Sequence, residues 1–165
     1  MAYAKFSKQL ANIVRPSIDE YFLLMAQLVG TRSTCARRRV GCVLTNKFNH
    51  VMATGYNGVA AGVPHCIDKH CPGADHPSGQ GLHLCQAIHA EQNAIMQCKD
   101  ITKIYRAYVT ASPCISCTRL LLGTSCREIV FLEEYPHSDA KALWVGMGRT
   151  WIYKPFPLDN FQVVK

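Results

Sequence analysis

The sequence predicts an α/β sandwich built on a mixed sheet. Three observations carry that expectation. After an opening helix and a β-rich hairpin, helix and strand patterns alternate from residue 89 onward. The 165 residues fit one domain, 1–165, large enough to bury a sizeable core. A hydrophobic content of 48% argues against disorder over most of the chain.

The elements follow in order. Ser17 and Glu20 form a capping box behind Pro16, so a helix starts there. Tyr21, Leu24, Met25 and Leu28 then recur at helical spacing, and Gly30 ends the helix. Val40 to Leu44 and Val51 to Tyr56 are β-rich and divided by a polar turn, Thr45 to His50, which reads as a hairpin. A loop-like stretch with repeated Gly and Pro runs from Asn57 to about residue 86. Loops of that length are functional or held by something other than apolar packing. His65, Cys66, His70, Cys71, His76 and His83 point to a metal. A helix fits His89 to Lys99, and a strand fits Tyr105 to Thr110. Pro113 suits the first position of a helix running to about Gly123. Glu128 to Leu132 reads as a strand and Ser138 to Val145 as a helix, followed by an apolar segment at Trp151 to Tyr153 and a packed aromatic tail.

Composition narrows the function classes. The longest apolar stretch, Tyr21 to Val29 with Gln27 inside it, falls short of the roughly 20 residues that span a bilayer. Met1 to Arg15 holds three basic residues and no acid, which reads as a basic arm or helix rather than a targeting peptide. No secretory signal is visible, so the expected location is cytoplasmic (host cytoplasm for a viral chain). The formal charge of +7 suggests anionic partners. Its only dense cluster is Arg37-Arg38-Arg39, sparse for a polynucleotide reader, so a small phosphorylated ligand stays open. Nine cysteines in a reducing compartment bind metal or pack in the core more often than they pair.

Two patterns carry chemistry: His89-Ala90-Glu91 and Pro113-Cys114-Ile115-Ser116-Cys117. Together they match the zinc deaminase signature. At this composition the first is expected roughly 0.2 times by chance and the second roughly 0.02 times. Cys114 and Cys117, three apart in a first helical turn, share a face, and a helix N-terminus favours their thiolates. His89 adds a neutral nitrogen from the start of another helix. Three protein ligands leave a fourth zinc position for water, as catalytic sites do. Glu91 is two residues past His89, turned about 200° around a helix from the ligand direction. Its expected task is to move protons without binding the metal. Two plainer readings remain: a redox Cys-x-x-Cys pair, and a closed structural zinc site.

These residues resemble the cytidine and deoxycytidylate deaminase superfamily. Further pieces resemble its deoxycytidylate (dCMP) deaminase branch: Arg32 to Cys35, Val40-Gly41, Gly55-Tyr56-Asn57-Gly58, Gly62, Cys66, Asn93 to Ile95, Thr110 and Tyr135. They stretch from about residue 18 to 154, most of the chain. The resemblance implies a three-layer, cytidine deaminase-like sandwich with a five-stranded mixed sheet flanked by helices. It implies a hydrolase acting on a cyclic amidine C–N bond, converting dCMP to dUMP and ammonia in pyrimidine metabolism. It implies a hexamer activated by dCTP and inhibited by dTTP, with Mg2+ accompanying the regulatory nucleotide.

The resemblance also carries residue roles. Gly55, Tyr56, Asn57 and Gly58 match the regulatory nucleotide segment, and Asn57 also matches a substrate-sugar contact; an ordinary β-turn is the plainer reading. Backbone near Ala90 and Ser112 reads the pyrimidine edge, while Tyr135 stacks on the base, meets the phosphate, or merely packs. Arg119 and Lys141 are candidate phosphate cations. Cys35 and Cys66 match ligands of a second, structural zinc found in some relatives; Cys71 and Cys85 are candidates to complete it, with His70 and His83 in reserve, or some of these are buried thiols. Cys42, Cys98 and Cys126 sit in apolar contexts and read as core. Two departures, Ala60 for a proline and Ser125-Cys126-Arg127 for Gly-Ile-Lys, touch regulation more than catalysis. The competing functions are deamination of a base in tRNA or single-stranded DNA, and a non-catalytic zinc module that binds nucleic acid.

Overall fold

The computed structural model describes residues 15–77, 80–136 and 138–155. The basic arm at 1–14, and all of the expected tail except residues 154 and 155, lie outside these residues.

Helix α1 spans Ile18–Gly30 and strands β1 and β2 span Gly41–Thr45 and Val51–Tyr56. Two short 3-10 turns, Pro72–Asp75 and Leu82–Leu84, interrupt the long loop. Then come α2 (Ala90–Gln97), a 3-10 turn (Ile101–Lys103), β3 (Arg106–Ala111), α3 (Ile115–Leu122), β4 (Glu128–Glu133), α4 (Ser138–Gly146) and β5 (Thr150–Tyr153). The five strands form one sheet in the order β2-β1-β3-β4-β5. β1 runs antiparallel to both β2 and β3, while β3, β4 and β5 are parallel, so the sheet is mixed as expected.

Strand alternation sorts side chains to two faces. Cys42, Leu44, Ala107, Val109, Ile129 and Phe131 pack with Ala90, Ala94, Leu121 and Trp144, beneath α2, α3 and α4. Val43, Tyr108 and Val130 point the other way and meet Phe22, Leu23 and Ala26 of α1. Burial on both faces explains why β1 is buried at every position. The result is a three-layer sandwich.

Local chemistry sets the boundaries. The Ser17 capping box forms: the Glu20 N–H donates to Ser17 Oγ (3.3 Å) and the Ser17 N–H to Glu20 Oε2 (2.7 Å). The hairpin turns at Asn46, whose Oδ1 accepts from the N–H groups of Phe48 and His50.

One expectation, the place of Pro113, needs correcting, and two others become more specific. The sheet-facing stripe of α1 is Phe22, Leu23, Ala26 and Gly30, with Met25 and Val29 beside it, whereas Tyr21 and Leu28 are 47% and 71% exposed. The helix carries two apolar stripes, and the one with small residues faces the sheet because it must approach closely. Pro113 is not the first helical residue; it precedes Cys114, the N-cap of α3. The apolar segment at residues 151–153 is the edge strand β5. The departure at Ser125-Cys126-Arg127 leaves α3 properly ended, with Gly123 as C-cap, the Ser125 hydroxyl on the carbonyl of Ile104 and Cys126 fully buried.

Two glycines set the layer spacing. A Cβ on Gly41 would lie 1.9 Å from the Ala26 carbonyl oxygen of α1. One on Gly55 would lie 2.2 Å from the Ala90 carbonyl oxygen and 2.4 Å from the Ala94 nitrogen of α2. Since Cys42 pairs with Gly55, the two close approaches sit side by side on opposite faces. Gly41→Ala should therefore cost about 2–3 kcal/mol or more in chemical denaturation. Gly146→Ala, with open space around it, should be neutral or stabilise by up to about 1 kcal/mol.

Candidate active site

His89 is the N-cap of α2 and Cys114 the N-cap of α3, so two helix starts converge. His89 Nδ1 lies 3.5 Å from Cys114 Sγ and 3.3 Å from Cys117 Sγ. The three ligand atoms all fall within 4.8 Å of one another. Tetrahedral zinc, with bonds of ~2.3 Å to sulfur and ~2.0 Å to nitrogen, would space such atoms by about 3.5 Å. The donor set and its spacing therefore fit zinc. The positive ends of two helices face the pair of thiols, which favours thiolates. The Cys117 side chain and the His89 ring hold the Cys114 thiol down to about 4. The hydrogen bond with Cys114, together with burial, pushes the Cys117 thiol upward.

Glu91 is 4% exposed, in the first turn of α2. Burial pushes its carboxyl above the usual carboxylate range, against the pull of His89 and a contact with the Cys117 side chain. A carboxyl shifted upward beside a ligand cluster is suited to carrying protons.

One cleft gathers most of the anticipated residues. Asn57, His89, Ala90, Glu91, Ser112, Cys114 and Tyr135 all line it. Asn57 is buried and braces the wall: its Oδ1 accepts from the Val40 N–H and its Nδ2 donates to the Arg38 carbonyl, both at 2.8 Å. A second lone pair and a second N–H of the amide remain for a ligand. The Ser112 N–H already donates to the Glu133 carbonyl, and Ser112 Oγ accepts from the Tyr135 N–H (2.7 Å), so Ser112 fixes Tyr135 at the rim.

The anticipated regulatory segment divides. Gly55 packs against α2, Asn57 faces the catalytic cleft, and Tyr56 and Gly58 line a neighbouring groove with Arg32, Thr34, His65 and Asn93. Of the thiols expected to form a second cluster, Cys71 interacts with Cys66 and Cys85, and Cys35 is within electrostatic reach of Cys66 and Cys85. No three of these sulfurs lie within 4.8 Å of one another, a looser set than the one at His89. His70 pairs with Asp75 (2.9 Å) and is exposed, as is His83.

Arg119 and Lys141 are exposed on α3 and α4, and neither lines the cleft. Arg37 and Arg38 do. Sequence reasoning saw them only as a basic cluster. Their position between Cys35 and Gly41, two residues already tied to the site, was the available signal. Arg38 pairs with Glu133, and its Cζ lies 5.7 Å from the Tyr135 ring centre.

The sequence model described as "Cytidine and deoxycytidylate deaminase zinc-binding region" matches residues 16–133. The chain belongs to the cytidine and deoxycytidylate deaminase family. It is 36% identical over 130 residues to the deoxycytidylate deaminase of Saccharomyces cerevisiae, covering 78% of this chain and 41% of the yeast protein. It is 38% identical over 153 residues to the deoxycytidylate deaminase of Schizosaccharomyces pombe, covering 90% of this chain and 47% of that one. The chain thus spans less than half the length of each. The crystal structure of a cyanophage S-TIM5 dCMP deaminase, in complex with dCMP and dUMP, superposes with a TM-score of 0.68 at 23% identity, over 86% of this chain and all of that one. That likeness confirms the family's fold.

The geometry makes the donor set testable. His89→Ala, Cys114→Ser and Cys117→Ser should each lower bound zinc by about one per chain, measured by elemental analysis. The sheet signal in circular dichroism should persist, because all three lie outside the strands.

Proposed function

We propose that this chain catalyses the hydrolytic deamination of dCMP to dUMP and ammonia. The observation that carries the proposal is Glu91, buried beside the His89, Cys114 and Cys117 ligand set in a cleft that two arginines also line. The names of the yeast relatives and the dCMP and dUMP held by the cyanophage protein support the substrate.

Held by His89, Cys114 and Cys117, zinc would supply the Lewis acidity that makes a water nucleophilic near neutral pH. Glu91 takes a proton from the attacking water and passes it to N3 of the cytosine ring. The water oxygen bonds to C4. Glu91 then delivers the second proton to the amino group, the C4–N bond breaks with its electron pair leaving on nitrogen, and ammonia departs. One water is consumed, and uracil carries its oxygen. Ala90 at the start of α2 has a backbone N–H without an intrahelical partner, suited to the pyrimidine edge. Asn57 offers its spare amide positions to the sugar. Tyr135 and Arg38 at the rim meet the base and the 5′-phosphate.

The basic cluster does not favour a polynucleotide substrate. Arg37 is tied to backbone carbonyls and Arg38 lines the cleft, leaving Arg39 as the exposed member for an extended phosphate backbone. A non-catalytic zinc module would leave the buried Glu91 without a role.

Regulation belongs to the same proposal. The groove of Arg32, Tyr56, Gly58 and His65 adjoins the catalytic cleft and offers a cation and an aromatic ring to a nucleotide. We assign it to dCTP as activator and dTTP as inhibitor, with Mg2+ on the phosphates, in a hexamer. The nine free thiols suit a reducing, cytoplasmic setting.

A second zinc would sit among Cys35, Cys66, Cys71 and Cys85. Against the cost of burial, backbone N–H groups of Gly73 and Gln86 hold the Cys71 thiol down, whereas burial pushes the Cys85 thiol up despite the N–H of Ala87. Such N–H support suits metal thiolates.

Two measurements test these readings. Glu91→Gln should keep its zinc and its thermal midpoint while kcat for dCMP, followed by ultraviolet absorbance, falls by at least about 1,000-fold; activity within tenfold of wild type removes Glu91 from its role. Wild-type protein should hold about two zincs per chain, and Cys71→Ser about one, with the one at His89 retained.

A further inference from the structure

Arg37 ties its guanidinium to backbone carbonyls far along the chain. Its Nη1 donates to the carbonyl oxygens of Gly73 (2.7 Å), Gln80 (3.0 Å) and His76 (3.4 Å). Those acceptors lie 36, 43 and 39 residues away, all within the Cys/His-rich segment. The same side chain lines the catalytic cleft with His89 and Glu91. Arg37 therefore stands between the segment and the cleft.

Apart from the thiols gathered at Cys66, Cys71 and Cys85, apolar packing holds the segment only lightly. Its apolar side chains Val63, Ile67 and Leu84 are 38%, 57% and 39% exposed. Its inward residues are Cys66, Cys71 and Gly73, which contribute little apolar area. At its end the chain passes through Cys85 and Ala87, both lining the cleft, and pairs at Ile88 with Gly58 just before His89. A shift of the segment would therefore move one wall of the cleft. All three bonds come from Nη1, held in a planar guanidinium that a flexible lysine stem does not reproduce.

We propose that Arg37 is a positioning residue: it closes the Cys/His-rich segment onto the catalytic cleft and thereby sets the wall at Cys85 and Ala87 against which substrate binds. The kinetic part rests on the deaminase reading; the structural part does not. Arg37 acts through the segment and not on the reacting atoms, so its loss raises KM and spares kcat.

The test uses the full chain with Arg37→Ala and Arg37→Lys. Backbone amide exchange is followed by mass spectrometry, and kcat and KM are measured on dCMP. In Arg37→Ala, amides of residues 66–77 and 80–86 should exchange at least tenfold faster, while those of β1, β3 and β4 stay as in wild type. KM should rise about tenfold or more, and kcat should change less than threefold. Arg37→Lys, which keeps the charge but not the fork, should fall between and serves if the alanine variant fails to fold. Added ethylguanidinium should restore both slow exchange and low KM to Arg37→Ala. A raised KM with unchanged exchange would make Arg37 a direct substrate contact and overturn the proposal. So would faster exchange with unchanged KM, or no change in either. If wild-type protein does not deaminate dCMP, the function proposed above falls, and the exchange data alone still decide whether Arg37 holds the segment.

Discussion

Two helix starts aimed at one point are the constraint on which this molecule depends. α2 and α3 each begin with a candidate metal ligand at the N-cap, on the same face of the sheet. Unpaired N–H groups there favour negative charge, so a thiolate pair is stable where an apolar core would reject it. The sheet order makes this possible. β1 lies between β2, against which α2 packs, and β3, which feeds α3, so the two helices meet above the middle of the sheet. Gly55 lets α2 settle against its strand, which brings Ala90 and Glu91 down to the cleft floor.

The basic excess dissolves into internal roles once the contacts are known. Arg37 holds carbonyls, Arg38 and Arg106 meet carboxylates, and Arg149 donates to the carbonyls of Leu121 and Leu122 at the end of α3. Arginine fits these tasks because its fork reaches several acceptors at once. Net charge indicated an anionic ligand but said nothing about where it binds, because much of the positive charge serves architecture.

The cysteines divide by surroundings. Cys114 and Cys117 face helix dipoles and an imidazole. Cys35, Cys66, Cys71 and Cys85 gather where polar loop backbone replaces apolar packing. Cys42 and Cys126 are fully buried, where burial pushes their thiols up and makes them inert, and Cys98 packs half-buried against the same core. One residue type thus serves metal chemistry, loop architecture and filling, and its neighbours decide which.

Sequence alone determined the layer order of helix, hairpin and alternating units, because apolar period and capping residues are local. It also brought forward His89, Glu91, Cys114 and Cys117 as candidates, because a signature with short spacings is legible locally, and the fold gathers the His89, Cys114 and Cys117 atoms. It did not determine which stripe of α1 faces the sheet, since both are apolar and only the close approach at Gly41 selects one. Nor did it reveal that Arg37 and Arg38, rather than Arg119 and Lys141, line the cleft. That choice depends on carbonyls and a carboxylate far along the chain, and such distant partners exist only once the chain has folded.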